Sequence, residues 1–309
     1  PKPLRKLHKF FPMLRVNAFR ALDLSDFDII ISSSSAEAKQ VRKTRAGQVH
    51  ICYCHTPIRY YWSHYDEYKK DPGFGRLNWL VRLMMPLMVP GLKRADYEAA
   101  QHIDVFIANS TEVQKRITRY YGQPSTVVHP PVDIDRFAPS KERADYYVAI
   151  GRQVPYKRID LAVAAATKLS LPLRVYGSGS EHDRLVAMAG PTVEFFTERF
   201  GNASDKAVAA ALNQAKGVIF PAEEDFGIVQ VEAMAAGAPV VAYAKGGSLD
   251  IVQDGESGVL FDEQTANAVA AAIERLDSIS FSPALLRRKA KRFSKELFIM
   301  KLHKIVLSL

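Results

Sequence analysis

Residues 217–238 contain glutamates and the start of a predicted helix, whose first backbone amides have no hydrogen-bond partner within the helix. An apolar run at 217–220 predicts a buried strand, an acidic loop follows it, and good helix formers begin after Gly227. Free amides at the start of such a helix, reinforced by the helix dipole, bind an anionic group such as a phosphate. In parallel sheets, ligands bind beyond the carboxyl ends of the strands, where this loop would lie. The stretch therefore predicts an anion site.

Carboxylates beside those amides need a different partner, because they repel phosphate but accept hydrogen bonds from hydroxyl groups. Glu224 precedes the helix, and Glu232 lies about two helical turns further along. Hydroxyl-rich groups on both sides of a phosphate are the layout of a nucleotide diphosphate sugar, with its ribose, diphosphate and hexose. The alternative is that the loop acids only stabilise the helix, by about 0.3–1 kcal/mol each.

A second loop carries the cations that a diphosphate requires. The segment 151–158 follows a predicted strand and places Arg152 and Lys157 at a spacing that suits the two ends of a diphosphate. Arginine binds phosphate bidentately, and lysine acts as a point charge. Ordinary surface cations are the alternative interpretation. Gly177 and Gly179 follow another strand in a turn that would let the backbone approach a ligand, although it lacks the third glycine of a dinucleotide fingerprint.

The first half of the chain offers one candidate for chemistry, His55, at the end of a predicted strand over 49–54. A histidine there could contact a substrate hydroxyl, and the alternative is a polar loop residue. Cys52 and Cys54 share one face of that strand and are predicted to be core thiols, because two cysteines make no disulfide framework and indicate a reducing compartment. No metal site is predicted, since no paired-histidine motif occurs.

At 309 residues, the chain is long enough for two domains. The pattern predicts four strands in the first half and six in the second, alternating with helices, and this alternation calls for parallel sheets covered by helices. We place the first domain at 1–137 and the second at 138–292. We expect the first domain to lack its first strand, because no strand with a glycine turn precedes the strand near 27–32.

Net positive charge is concentrated in the first half, because residues 1–140 carry 21 of the 42 Lys and Arg but only 13 of the 33 Asp and Glu. The bias indicates an anionic partner, which could be a membrane surface, a phosphorylated acceptor or nucleic acid, and a solvated basic face is the alternative. The aromatic and basic segment 1–20 favours the membrane surface. The apolar stretch 79–92 is interrupted by Arg82, Pro86 and Pro90, so it is not predicted to span a bilayer.

Taken together, these motifs resemble the retaining glycosyltransferases of family four, which have the GT-B fold of two Rossmann-like domains facing a cleft. The signature is Glu224-x7-Glu232 within Glu-Asp-Phe-Gly-Ile-Val-x-Val-Glu-Ala-Met-Ala-Ala-Gly-x-Pro-Val. Gly-Arg-x-Val-Pro-x-Lys at 151–157 supports it. Cys-Tyr-Cys-His-Thr-Pro-x-Arg-Tyr at 52–60 is similar to a bacterial subgroup that transfers mannose from GDP-mannose in O-antigen and exopolysaccharide synthesis.

The resemblance implies a role for each candidate. It implies that Arg152 and Lys157 hold the donor diphosphate, that Glu224 binds the donor sugar, that Glu232 binds the ribose, and that His55 approaches the sugar from the first domain. The backbone amides implied beside the sugar are those of Phe226, Gly227, Ile228 and Val229. Transfer would retain the anomeric configuration without metal or cofactor. The helix at 293–309 would cross back onto the first domain. Asp250 stands where many members have Glu, and the sequence gives no interpretation of it.

The predicted function is transfer of a hexose, with mannose as the predicted sugar, to a saccharide or polyprenyl-diphosphate-linked acceptor. The predicted location is the cytoplasm, on the inner face of the cell membrane, and nucleic acid is not a predicted partner. Two alternatives stay open. One is a sugar-nucleotide epimerase of the same fold, and the other is a truncated protein that binds a nucleotide sugar without catalysis.

Overall fold

The computed structural model describes residues 12–63, 65–70, 75–140, 142–197 and 203–309. The chain divides into two compact units, one formed by Pro1–Val128 with Leu307–Leu309 and the other by His129–Val306. The domain limits at 137 and 292, and the crossing of 293–309 onto the first domain, stay predictions.

The first unit is built on a parallel four-stranded sheet of order β1-β2-β3-β4. Its strands are β1 (Ile29–Ser34), β2 (Val49–Cys54), β3 (Val105–Ala108) and β4 (Thr126–Val127), and its helices are α1 (Pro12–Arg20), α2 (Tyr65–Lys70), α3 (Asn78–Ala100) and α4 (Thr111–Tyr121). Cys52 and Cys54 are free and fully buried in a core with Phe106 and Tyr121, as predicted for core thiols.

A buried ion pair ties α3 to the segment that follows β1. Lys39 Nζ lies 2.6 Å from Asp96 Oδ1, and the two side chains are only 1% and 0% exposed. The indole of Trp62 and the hydroxyl of Tyr121 both donate to Asp96 Oδ2, at 2.8 and 2.7 Å. Burial by itself would lower the pKa of Lys39, but the contact with Asp96 outweighs it, so that the pKa is raised. Lys39 therefore stays protonated beside Asp96, and their contact is shielded from water.

Replacing Asp96 by Asn should destabilise the first unit by about 3–5 kcal/mol, because the Lys39 ammonium would stay buried without its counter-charge. Both tryptophans of the chain, Trp62 and Trp79, lie in this unit, so urea denaturation followed by tryptophan fluorescence measures it selectively. The control is Glu98→Gln, which breaks an exposed pair with Arg94 on the same helix and should cost at most about 1 kcal/mol. Equal effects of the two variants would contradict the prediction.

The second unit is built on a parallel six-stranded sheet of order β10-β9-β8-β5-β6-β7. Its strands are β5 (Tyr147–Ile150), β6 (Leu173–Tyr176), β7 (Val193–Phe195), β8 (Gly217–Phe220), β9 (Val240–Tyr243) and β10 (Gly258–Phe261). Its helices are α5 (Ile159–Leu169), α6 (His182–Met188), α7 (Asp205–Gln214), α8 (Ile228–Ala235), α9 (Ser248–Ile251), α10 (Ala266–Asp277), α11 (Pro283–Ala290) and α12 (Lys295–Leu307).

Separate apolar clusters cover the two faces of this sheet, because successive residues of a strand point to opposite sides. Val148 belongs to one cluster, and its neighbours Tyr147 and Ala149 belong to the other. All ten predicted strands are present, and the predicted class of two parallel-sheet α/β domains is confirmed.

The strand order determines where the second unit can bind a ligand. From the central strand β5 the chain runs outward through β6 and β7, then returns to place β8, β9 and β10 on the other side. The connections after β5 and β8 therefore leave the sheet in opposite directions, and they open a crevice at the carboxyl ends of these two strands. In open parallel sheets this switch point is where ligands bind.

Candidate functional site

Two predicted residues on different loops meet at the switch point. Lys157 ends a short 3-10 helix (Pro155–Lys157) in the connection after β5, and Glu224 lies in the connection between β8 and α8. The Lys157 ammonium donates a hydrogen bond to Glu224 Oε1. Both side chains are mostly shielded, at 18% and 17% exposure, so the pair is weakly screened by solvent. The predicted phosphate cation and the predicted hydroxyl acceptor are thus adjacent.

Arg152 lies on the same loop as Lys157 but is more exposed. Its guanidinium donates to the hydroxyl of Tyr156 at 2.5 Å and lies 5.8 Å from the centre of that ring. Lys157 Nζ lies 5.5 Å from the same ring. Tyr156 is therefore a neighbour of both cations. Sequence reasoning passed over it because a tyrosine between two cations has no signature of its own.

The glycine turn after β6 makes a tight junction with this loop. A Cβ on Gly177 would lie 2.0 Å from the carbonyl oxygen of Gly151, and one on Gly179 would lie 2.3 Å from that of Gln153. The Gln153 amide donates to the carbonyl of Ser178 at 2.9 Å. The structure thus explains both glycines by the close approach of two loops, and their contact with a ligand stays a prediction.

The loop that carries Glu224 is held by the double glycine after β9. The Gly247 amide donates to the Glu224 carbonyl at 2.8 Å, and a Cβ on Gly246 would approach that carbonyl oxygen to 2.2 Å. At the other end of the loop, Gly227 has φ = 97°, a left-handed conformation that favours glycine. This turn places the predicted amides at the start of α8, where no helical carbonyl precedes them.

Glu232 lies in the second turn of α8, beside a cation that sequence reasoning missed. Arg136, in a short 3-10 helix (Ile134–Arg136), places Nη2 3.5 Å from Glu232 Oε1 and Nη1 3.6 Å from Asp205 Oδ2. Burial raises the pKa of Glu232, and the arginine opposes this shift while Asp205 adds to it. Arg136 therefore helps keep Glu232 ionised, the state that accepts hydrogen bonds from two hydroxyls.

Replacing Arg136 by Met should raise the pKa of Glu232 further, because burial and Asp205 would act unopposed. If Glu232 binds the ribose, affinity for a nucleotide diphosphate should then begin to fall at a higher pH than in the wild type. Calorimetric titrations across the acidic range measure this shift. Arg184→Met, at an arginine that pairs with Glu181, is the control, and an unchanged pH profile for the Arg136 variant would contradict the prediction.

His55 lies in the first unit, just beyond β2, where its Nε2 is 2.8 Å from Ser33 Oγ and its ring meets Tyr53 edge-on. Its predicted approach to the donor sugar stays a prediction. Within the described ranges, no group of three or more His, Cys, Asp or Glu residues is placed to hold a metal ion. Metal-independent transfer likewise stays a prediction.

Comparison with known families identifies the class of protein. The family described as "Glycosyl transferases group 1" matches residues 132–295, and the one described as "Glycosyltransferase Family 4" matches residues 1–136. The first match covers more than half of the chain and contains both loops of the switch point. The chain belongs to the group 1 glycosyl transferases.

Individual relatives are more distant. A D-inositol 3-phosphate glycosyltransferase of Mycobacterium sp. (strain JLS) is 33% identical over 222 residues, covering 63% of this chain and 49% of the relative. The enzyme of the same name from Salinispora arenicola (strain CNS-205) is 34% identical over 229 residues, covering 61% and 50%. The chain thus spans about half the length of the curated relatives that it matches.

Solved structures share the fold. Sucrose-phosphate synthase from Thermosynechococcus elongatus matches with a TM-score of 0.70 at 20% identity, covering 94% of this chain and 75% of that one. Anabaena HepE, solved in complex with UDP and glucose, matches with a TM-score of 0.68 at 18% identity, covering 96% and 81%. At such identities the likeness supports the GT-B fold and does not extend to the ligands.

Proposed function

We propose that this chain carries the donor site of a retaining glycosyltransferase that moves mannose from GDP-mannose to a lipid-linked or oligosaccharide acceptor. The observation that carries the proposal is the contact between Lys157 and Glu224 at the switch point. A nucleotide diphosphate sugar needs a cation for its diphosphate and, directly beside it, a carboxylate for its sugar hydroxyls. These two groups meet here from two different loops.

Each residue has a distinct task in the proposed reaction. Arg152 and Lys157 neutralise the charge that develops on the departing diphosphate, an electrostatic contribution made by preorganised groups. Glu224 accepts hydrogen bonds from the sugar hydroxyls, and the amides of Phe226 to Val229 orient the sugar beside the phosphate. Lys157 positions the Glu224 carboxylate before the donor arrives.

The proposed transfer proceeds on one face of the sugar without metal or cofactor. The bond from the anomeric carbon to the phosphate oxygen breaks, and the acceptor oxygen bonds to the same face of that carbon. The acceptor's proton passes to the departing phosphate, so the anomeric configuration is retained. His55 is proposed to contact the donor sugar during this step.

The names of related proteins accord with sugar transfer, and one structural neighbour contains a nucleotide. Several relatives are named D-inositol 3-phosphate glycosyltransferase, and the HepE structure contains UDP and glucose. The UDP of HepE makes uracil the base that competes with guanine for this chain. GDP-mannose is proposed from the subgroup resemblance at 52–60.

A thermal-shift panel of GDP-, UDP- and ADP-sugars tests the donor. At 100 times its Kd, the true donor should stabilise the protein by about 2.7 kcal/mol. Stabilisation by GDP-mannose is expected, and stabilisation by a UDP-sugar alone would overturn the mannose assignment. Incubations without and with acceptor then separate the alternatives. Conversion of the sugar without an acceptor would indicate an epimerase, and donor binding with neither hydrolysis nor transfer when saccharide acceptors are supplied would indicate a non-catalytic protein.

The acceptor side of the proposal involves an anionic membrane surface on the cytoplasmic side. On α3, Trp79, Leu83 and Leu87 recur at every fourth position and are 65%, 65% and 80% exposed. The exposed cations Arg82 and Lys93 lie on the same helix. An apolar stripe with flanking cations suits the interface of an anionic bilayer. Among the described residues, no helix combines the length and apolar character needed to cross a bilayer.

Sedimentation with anionic vesicles tests this surface. The double variant Leu83→Glu, Leu87→Glu should lose vesicle binding at low salt, because each charge would enter the lipid interface. Ile299→Glu, at an exposed apolar residue of α12, is the control. Unchanged binding of the double variant would remove α3 from the proposal.

The basic segment 1–20 was also predicted to favour a membrane surface. Its residues 1–11 lie outside the described residues.

A further inference from the structure

The loop that carries Glu224 is anchored in a cluster of aromatic rings. Phe226, two residues after Glu224, is 3% exposed and stacks on the ring of His129, with centroids 5.5 Å apart and an angle of 26°. Phe293 meets both rings edge-on, at 5.5 Å from Phe226 and 5.2 Å from His129. The acidic loop is therefore anchored through one buried side chain, and His129 forms the flat surface against which that side chain rests.

His129 is also tied to the other side of the same loop. Its Nε2 lies 3.1 Å from Oδ2 of Asp250, a residue of α9 that is 10% exposed. The helix α9 begins directly after Gly247, whose amide donates to the Glu224 carbonyl. The backbone of α9 is itself fixed, because Arg292 Nη2 donates to the carbonyls of Asp250 and Ile251, both at 2.8 Å.

The backbone that follows His129 is held in place. Two prolines follow His129, and the Val132 amide donates to the Phe293 carbonyl at 2.9 Å. Val132 also forms a parallel bridge with Ser294. The histidine is therefore presented by a restrained segment, and its hydrogen bond to Asp250 fixes the rotation of the ring, with the proton on Nε2.

We infer that His129 and Asp250 form a positioning pair that holds the Glu224 loop in the geometry needed to bind the donor sugar. The inference rests on the proposed function. Neither residue is assigned a contact with substrate. His129 acts through the ring of Phe226, and Asp250 acts by holding His129 and by joining it to the double-glycine turn. The pair also supplies the interpretation of Asp250 that the sequence did not give.

The pair should affect the sugar more than the diphosphate, since Glu224 lies on the loop that the pair supports, whereas Arg152 and Lys157 lie on another loop. Arg152 and Lys157 follow β5, and among the described contacts the loop after β5 is joined to the glycine turn after β6 by backbone hydrogen bonds. His129 and Asp250 instead contact the connections after β8 and β9. A displaced acidic loop would thus misplace Glu224 directly, whereas Lys157 would be affected only through the contact between the two side chains.

Four variants test the pair by transfer kinetics and by calorimetry with GDP. His129→Ala should lower kcat/KM by about 10- to 100-fold, as expected when a group is misplaced by about 1 Å. Asp250→Ala should do the same to a smaller extent, and Asp250→Glu, which restores a carboxylate, should recover most of the activity. The affinity for GDP alone should fall by less than kcat/KM in each of them. His303→Ala, at an exposed histidine of α12, is the control.

Hydrogen exchange followed by mass spectrometry supplies a readout that does not depend on activity. His129→Ala should reduce the protection of peptides covering 221–230 and leave those covering 151–158 unchanged. Wild-type protection of 221–230 in this variant, or a loss of GDP affinity as large as the loss of kcat/KM, would overturn the inference. If the wild type transfers no sugar while the exchange result holds, the proposed function fails and the positioning pair stands.

Discussion

Replacing Glu224 by Gln is expected to lower transfer by about 100- to 1,000-fold, the range found when one preorganised polar contact to a transition state is removed. The amide keeps the shape of the side chain but loses the charge that accepts hydrogen bonds from the sugar hydroxyls. It also removes the counter-charge of Lys157. Initial rates of transfer from the donor identified by the thermal-shift panel provide the measurement.

The neighbouring acid provides a matched control for this variant. Glu223 precedes Glu224 in the same loop and is exposed, so Glu223→Gln changes the net charge equally without touching the contact with Lys157. It should transfer within about threefold of wild type, since exposed charges contribute little. Full turnover by Glu224→Gln would refute the role of Glu224, and equal losses in both variants would assign the effect to loop charge in general.

Replacing Lys157 by Met is expected to weaken binding of a nucleoside diphosphate more than tenfold, since a hydrogen bond to a charged group contributes about 1.5–3 kcal/mol. Binding of the corresponding monophosphate should change much less, because the lysine is assigned to the diphosphate. The rate of transfer should fall further than the affinity, since charge on the departing phosphate grows in the transition state. Calorimetry with both nucleotides and transfer kinetics measure the two effects.

The control for lost positive charge is Lys168→Met. Lys168 is an exposed lysine on α5 that donates a hydrogen bond to Asn267.

A double variant of Lys157 and Glu224 adds a test of their contact. Because the two side chains touch, the combined loss should be smaller than the sum of the single losses in free energy. Additive losses would show that the two residues act independently and would contradict the shared site.

The elements and the two loops of the site could be predicted from sequence, because their signals are local. Strands such as β8 are short apolar runs ended by proline or glycine, and the helix after Gly227 is a run of good helix formers. Alternation of such elements is enough to call for parallel sheets. The placement of Glu224 and Lys157 at the carboxyl ends of strands follows from the same local patterns.

The partners of these residues could not be predicted in the same way. Lys157 and Glu224 are 67 positions apart, and their contact depends on β5 and β8 lying side by side at the point where the strand order reverses. Gly177 was predicted to let the backbone approach a ligand, and the structure adds that its lack of a side chain makes room for the carbonyl of Gly151. Such contacts depend on which loops pack together, and no local pattern carries that information.

By itself, the sequence determined that this protein has two parallel α/β sheets, and it identified the acidic and basic loops at their strand ends. Only the tertiary structure decided which groups face one another. It set Arg136 beside Glu232 and joined His129 to Asp250 across 121 positions. The physical reason is that turn chemistry, helix propensity and hydrophobic periodicity depend on near neighbours in the chain, whereas the strand order and the packing of loops select long-range partners.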